Sequence, residues 1–493
     1  MGGGGTRPAA EEWLLFAEDG SAGSNNLSVF KASASSPIQV PIPQEGQTLS
    51  FNTLPLGEIH LANGKAFVVI TSGLTGPAPD NLPSGGLAVV DVDDPDTLET
   101  TLVLASAATG RGSRIVHTFI DPEGKFLWAH NDGPSGDANP DSVFRVDVDP
   151  ASPTYLTPSE TVVGNGHKKA ALGFPTTTQP TARMVYVVSS LTERRIDVID
   201  RDPASGTFGQ VIKIIRNVPA SPHGMDYSPN SGRSFSGITG GGMVSVDGTL
   251  LDTANITNFP DVDCAPGGVP PASPGGTPYT GGIPVTDDNC VGSPATPGAG
   301  QEDPSVFVLS TGAGSNTTLI GGYVHVVTND HDEDTVYTAG RSGAASMAWL
   351  TAVNPGSGST PPGAGTDGVV AIELGDMAPS NFSVSHAAHK AYVPSSGGGT
   401  INDQVKVVDV DHDSATHNQV INTITVGTAT GENRNIQASP DGRLVMAPNT
   451  STNTVSVIDT ETDTVIDTLT LTTGTTAGNV RLFKLPFDAE DNH

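Results

Sequence analysis

The chain has 493 residues, 53 of them acidic against 23 basic, for a formal net charge of −30. That charge repels nucleic acid and anionic lipid, and no stretch approaches the roughly 18 consecutive apolar residues of a membrane span, so neither partner is expected. The length suits one large closed β-domain or two to three ordinary domains, and the repeats described next favour one.

Residues 1–12, with the Gly-rich opening MGGGGTRPAAEEW, carry neither the basic start nor the apolar core of a secretion signal and are expected to be flexible. WLLFAEDG from Trp13 then reads as a second strand, followed by a third-strand candidate, LSVFKAS from Leu27. Five further candidates end in acidic turns: LAVVDVDDPDT from Leu87, SVFRVDVDP from Ser142, RIDVIDRDP from Arg195, VKVVDVDHD from Val405 and VSVIDTETD from Val455. SVFVLSTG from Ser305 and one run between Met347 and Leu374 bring the number to eight. Their alternation of apolar and polar residues predicts half-buried strands. Ahead of several lies a hairpin signature: DPEGKFLWAHNDG from Asp121, SPNSGRSFSG from Ser228 and SPDGRLVMAPNTSTN from Ser439. In each, Pro sets the turn and Gly takes the φ > 0 position. NVRLFKLPF from Asn479 reads as an inner strand completing the unit that WLLFAEDG begins, and 487–493 as a tail.

One segment breaks the rhythm. His223 to His325 spans 102 residues where neighbouring histidine intervals are 50 to 61, and the excess lies at about 252–303. It holds the only cysteines, Cys264 and Cys290, whose setting suits a disulfide worth roughly 3 to 4 kcal/mol and an oxidising compartment. A free thiol pair and a two-thiolate metal site are the alternatives. A second Pro/Gly-rich loop starts at Asn354.

The repeat, most plainly Ser439 to Thr468, resembles the YVTN family of β-propeller repeats, and the resemblance covers nearly the whole chain. It implies an all-β fold: a single closed β-propeller over 13–486, of four-stranded antiparallel blades. The third-strand candidates number eight blades, with seven the alternative, and the two termini share one blade, which leaves no exposed sheet edge.

Six of the twelve histidines, His60, His117, His167, His223, His325 and His386, lie shortly before these hairpin turns, on what would be the innermost strand of each blade. A histidine there can point at the central axis. Imidazole suits copper and zinc, whereas hard cations ask for carboxylates. Six exceed what one tetrahedral zinc uses, so one to three copper ions are expected, with zinc the alternative. His130 and His389 are candidate outer partners, Gln437 marks a gap in the ring, and His331, His412, His417 and His493 are expected at the surface. SPHGMDYSP around His223, VHTFIDPEG around His117 and GNGHKKAAL around His167 resemble copper-ligand segments of nitrous-oxide reductase. No counterpart of the cupredoxin domain of that enzyme is expected in these residues. Thiocyanate dehydrogenase, a single-domain copper propeller, is the other resemblance.

These resemblances imply a periplasmic or secreted copper oxidoreductase acting on a small inorganic or one-carbon substrate, with a cytochrome or cupredoxin as electron acceptor. Asp226 would serve as base or orienter, and Lys168, beside Lys169, would hold an anion. The second reading is a non-catalytic YVTN surface protein or a periplasmic zinc or copper carrier.

Overall fold

In the computed structural model the described residues run from Glu12 to Leu485, without many of the loops that join strands. The longest internal stretches outside them are 251–261, 265–289, 293–305 and 311–323. Side chains are described within 58–249 and 334–470, apart from scattered positions that include 167–169 and 222–223.

Among the described residues the strands form eight sheets, six of them four-stranded. Within a sheet, order follows the chain through antiparallel neighbours, as in Leu56–Ala62, Lys65–Thr75, Pro83–Asp91 and Leu98–Leu104. Further sheets begin with the first strands Ile115–Ile120, His167–Leu172, Pro222–Ser228, Val324–Thr328, Ser383–Ser385 and Gln437–Ala438. The remaining sheet takes both ends of the chain: Thr476–Leu485 pairs with Glu12–Ser21, which pairs in turn with Ser24–Ser33. The first strand of each sheet lies beside the first strand of the next, and Thr476–Leu485 lies beside both Gln437–Ala438 and Leu56–Ala62.

Apolar residues fill the spaces between consecutive sheets. Ala391, Val393 and Val408 of the Ser383 sheet pack with Tyr337, Leu350 and Ile372 of the Val324 sheet. Their neighbours Tyr392, Val405 and Val407 pack with Val445, Ala447 and Ile458 of the Gln437 sheet. Both faces of the inner strands are therefore buried, which corrects the half-buried reading for strands such as Pro83–Asp91, where Ser84 to Val90 are all buried. Clear alternation in exposure is seen in outermost strands such as Gln419–Thr425 and Thr464–Thr470. The sequence alternates there because one face meets water.

The recurring acidic turns are self-contained hydrogen-bonded units. Asp147 Oδ1 accepts from the Asp149 amide at 3.0 Å, and its Oδ2 accepts from the hydroxyls of Ser152 and Thr154. Asp200 repeats this with Asp202 at 2.9 Å and Thr207 at 2.6 Å, and Asp409 with Asp411 at 2.9 Å and Ser414 at 2.6 Å. Each turn leaves through a left-handed residue: Leu156 (φ 58), Gly209 (φ 77) and Asn418 (φ 59). Asn and Gly tolerate that conformation, whereas at Leu156 the surrounding bonds hold a less suited residue.

The insertion sits differently from its expected place. Val306–Ser310 is the fourth strand of the Pro222 sheet, not a third strand, and the third is Gly242–Asp247. The excess residues are thus spliced between the third and fourth strands of one sheet. Their short pair Val262–Cys264 and Cys290–Gly292 adds to the outer edge of the preceding sheet, through parallel pairing of Val262 with Ile215. Periodicity alone made Ser305–Gly312 look like a third strand because the insertion separates it from the true one, GMVSVD, whose terminal Asp247 accepts from the Thr249 amide at 2.9 Å as in the other acidic turns.

Candidate metal centre

Five of the six candidate histidines lie on first strands of five successive sheets: His60, His117, His167, His223 and His325. The sixth departs from this placement. His386 follows the short strand Ser383–Ser385 and is exposed in the hairpin turn, where its carbonyl accepts from the His389 amide at 3.2 Å. His389 is half-buried with φ 50. The three-residue strand ends before His386, so the turn carries both imidazoles away from the inner-strand positions.

Three of the first strands are bulged near these residues. Gly57 and Glu58 together oppose Val69, because Leu56 pairs with Ile70 and Ile59 with Val68. Val116 and His117 together oppose His130, between the pairs Ile115–Asn131 and Thr118–Ala129. Gly224 and Met225 oppose Ser236, just after His223, and the Ser236 hydroxyl donates to the Gly224 carbonyl at 2.9 Å. A bulge adds one residue to one strand and re-aims the side chain it carries.

At the first two of these bulges this brings a carboxylate between two histidines. Glu58 Oε1 lies 2.7 Å from His117 Nδ1, and its Oε2 accepts from the Thr118 amide at 2.7 Å. His60 Nε2 stands 3.7 Å from Glu58 Oε2. His60 is buried, and Glu58 and His117 are about one-fifth exposed, at 18% and 19%. A carboxylate can only accept, so Nδ1 of His117 carries the proton and Nε2 becomes the nitrogen able to bind a metal or take a proton. Sequence reasoning passed over Glu58. Its signal was Glu58-Ile59-His60, a carboxylate and an imidazole two apart on a strand, hence on one face.

The other candidates divide. His130 is buried on the second strand with its ring edge-on to Phe119 at 5.4 Å, directly across the bulge that holds His117. Asp226 is half-buried and its Oδ1 accepts from the Tyr227 amide at 2.8 Å. Gln437, half-buried, donates through Nε2 to the carbonyl of Ala438 at 3.1 Å. The side chains of Lys168, His167, His223 and His325 lie outside the described residues, as do those of Cys264 and Cys290. His60 comes two residues before the end of its strand and His167 five before the end of its own. Their positions relative to the strand end thus differ by three residues, about 10 Å of strand length. Among the described residues no three His, Cys, Asp or Glu side chains are grouped as a ready metal site.

No protein-family model matches the chain, and no curated protein matches it in sequence. Solved structures do. Apo AztD from Citrobacter koseri superposes with a TM-score of 0.50 at 12% identity, covering 96% of this chain and 98% of that one. The periplasmic gluconolactonase PpgL of Pseudomonas aeruginosa gives 0.50 at 12% identity, covering 96% and 99%. At such identity the likeness speaks for the fold alone, and together with the antiparallel sheets it shows that the chain folds as a β-propeller.

Proposed function

We propose that this chain is a metal-binding propeller of the periplasm or cell exterior, whose inner-strand histidines hold zinc or copper. The observation that carries the reading is the Glu58–His117 contact, with His60 beside it, on the adjacent first strands of two sheets. A carboxylate on one ring nitrogen is the usual support of a metal-ligating histidine. Histidines also stand in the sequence of the next three first strands, as further imidazole donors for such an ion. The donor set fits a borderline cation rather than calcium or magnesium. The order of first strands also supports eight blades closed through the pairing of Thr476–Leu485 with Glu12–Ser21.

Bound there, the ion would polarise a small substrate and, if copper, accept electrons from it. The chain's own part is plainer. Glu58 keeps the proton on His117 Nδ1, the Thr118 amide holds Glu58 in place, and the two bulges set the approach of the strands.

A second reading uses the same contact without metal: His117 oriented by Glu58 is the arrangement of a general base toward water. One fold neighbour is a gluconolactonase, so hydrolysis of a small polar ester is its natural form.

The decisive experiment is metal analysis of the purified chain, followed by zinc and copper titration of wild type and H60A/H117A, with a paramagnetic resonance spectrum of the copper form. Tight binding lost in the variant supports the metal reading, and a redox-active copper signal narrows it to an oxidoreductase served by a cytochrome or cupredoxin. Reversible zinc binding without redox change favours a carrier. No binding by the folded wild type sinks the metal reading, and lactone hydrolysis unaffected by chelators would then support the second.

A further inference from the structure

Three of the acidic turns share one scaffold. In each, the first Asp accepts from the amide two residues on, the next Asp accepts from the amide two beyond itself (Ala151, Ala204 or Asp413), and the left-handed residue donates back to the first carbonyl at 2.7 to 2.8 Å. The residues standing on this scaffold are not shared. Where the Asp147 turn carries Pro150, Ala151 and Tyr155, and the Asp200 turn carries Pro203, Ala204 and Phe208, the Asp409 turn carries His412, Asp413 and His417. A proline, an alanine and an aromatic ring are replaced together by three residues able to ligate a metal.

The three are not preassembled around one point, but the two imidazoles already stand at the spacing that use requires. The rings of His412 and His417 have centroids 5.3 Å apart, tilted at 55°. Two imidazoles bound at about 2.0 Å to one tetrahedral ion have centroids about 5 Å apart. The Asp413 carboxylate is 3.9 Å from His412 Nδ1, and both side chains are exposed, at 69% and 53%, so rotation at the surface brings the carboxylate to a shared ion. The turn is braced from the neighbouring sheet, where Tyr337 donates its hydroxyl hydrogen to Asn418 Oδ1 at 2.9 Å.

We propose that His412, His417 and Asp413 form a surface site for a divalent transition-metal ion such as zinc, on the outer rim of the propeller. The site is separate from the inner-strand histidines and does not depend on the reading given to them. Water would complete the coordination, as at other open zinc sites.

The test is calorimetric titration of zinc into the full chain. H412P/H417Y restores the residues of the Asp147 turn and is expected to lose a zinc equivalent that H60A/H117A keeps, with thermal unfolding unchanged. D413A should bind that zinc about tenfold more weakly. If the proline variant unfolds, H417F, which copies Phe208, replaces it. Equal zinc stoichiometry in wild type and the folded variant overturns the proposal.

Discussion

Replacing Glu58 by Gln keeps the size of the side chain but ends its role as an acceptor only, so His117 loses the partner that sets its tautomer. E58Q is expected to weaken metal binding about 10- to 100-fold in a competition titration, with little change in unfolding temperature. An unchanged affinity would detach Glu58 from the site. Asp121, in the turn after His117, gives a different signature. Burial pushes its carboxyl up to about 6, although the amides of Phe126 and Lys125 and the Arg201 guanidinium pull the other way. The folded chain then holds this proton more tightly than the unfolded chain, so the contribution of Asp121 to stability falls as pH rises from about 4 to 6. The fall amounts to at most about 3 kcal/mol. The stability of wild type minus that of D121N, followed by urea unfolding from pH 4 to 7, should decline across that window; a flat difference would contradict the assignment.

At the scale of the element, the acidic turns respond to pH in the opposite sense. Burial would raise the carboxyls of Asp147 and Asp409, but hydrogen bonds from Ser152 and Thr154, or Ser414 and Thr416, outweigh it and hold both below the usual range. Their stabilisation is present above the unfolded pKa and is lost as pH falls through the folded one, below about 4. D409A removes the acceptor for one amide and two hydroxyls and should cost about 1–3 kcal/mol in urea unfolding at pH 7, with the difference shrinking in acid. The inserted pair gives a second prediction at this scale. Cys264 and Cys290 are register partners on neighbouring antiparallel strands, a placement whose Cα separation suits a disulfide. Thiol titration of unreduced, unfolded protein should find no free sulfhydryl, and two would refute the bond.

For the whole molecule, the pairing of Glu12–Ser21 with Thr476–Leu485 joins the ends of the chain within one sheet. A chain stopped before Thr476 would leave Glu12–Ser21 with an unpaired edge, beside a gap between the Gln437 and Leu56 sheets. Such a truncation is expected to unfold at lower temperature and to aggregate, as light scattering during a thermal ramp would record. Unchanged unfolding would argue that the final strand closes nothing.

Much of the architecture was legible in order of residues because the repeat is local. The acidic turns, the Pro/Gly hairpins and the apolar runs each announce themselves within ten or so residues, and the complementary ends of the chain announced their shared sheet. Seven of the eight third strands were found this way; Gly242–Asp247 was missed because the insertion separates it from its partner Val306–Ser310, which has a strand-like pattern of its own. The candidate site was legible only in part. Histidines at repeat positions could be counted, and five of six lie on first strands, but His386 fell in a turn because its strand stops at Ser385. What only the tertiary structure decided was how neighbouring strands meet. Bulges at Glu58 and His117, and the ring contact of His412 with His417, depend on pairing between strands and on turn geometry, and a period-two pattern read along one strand carries neither.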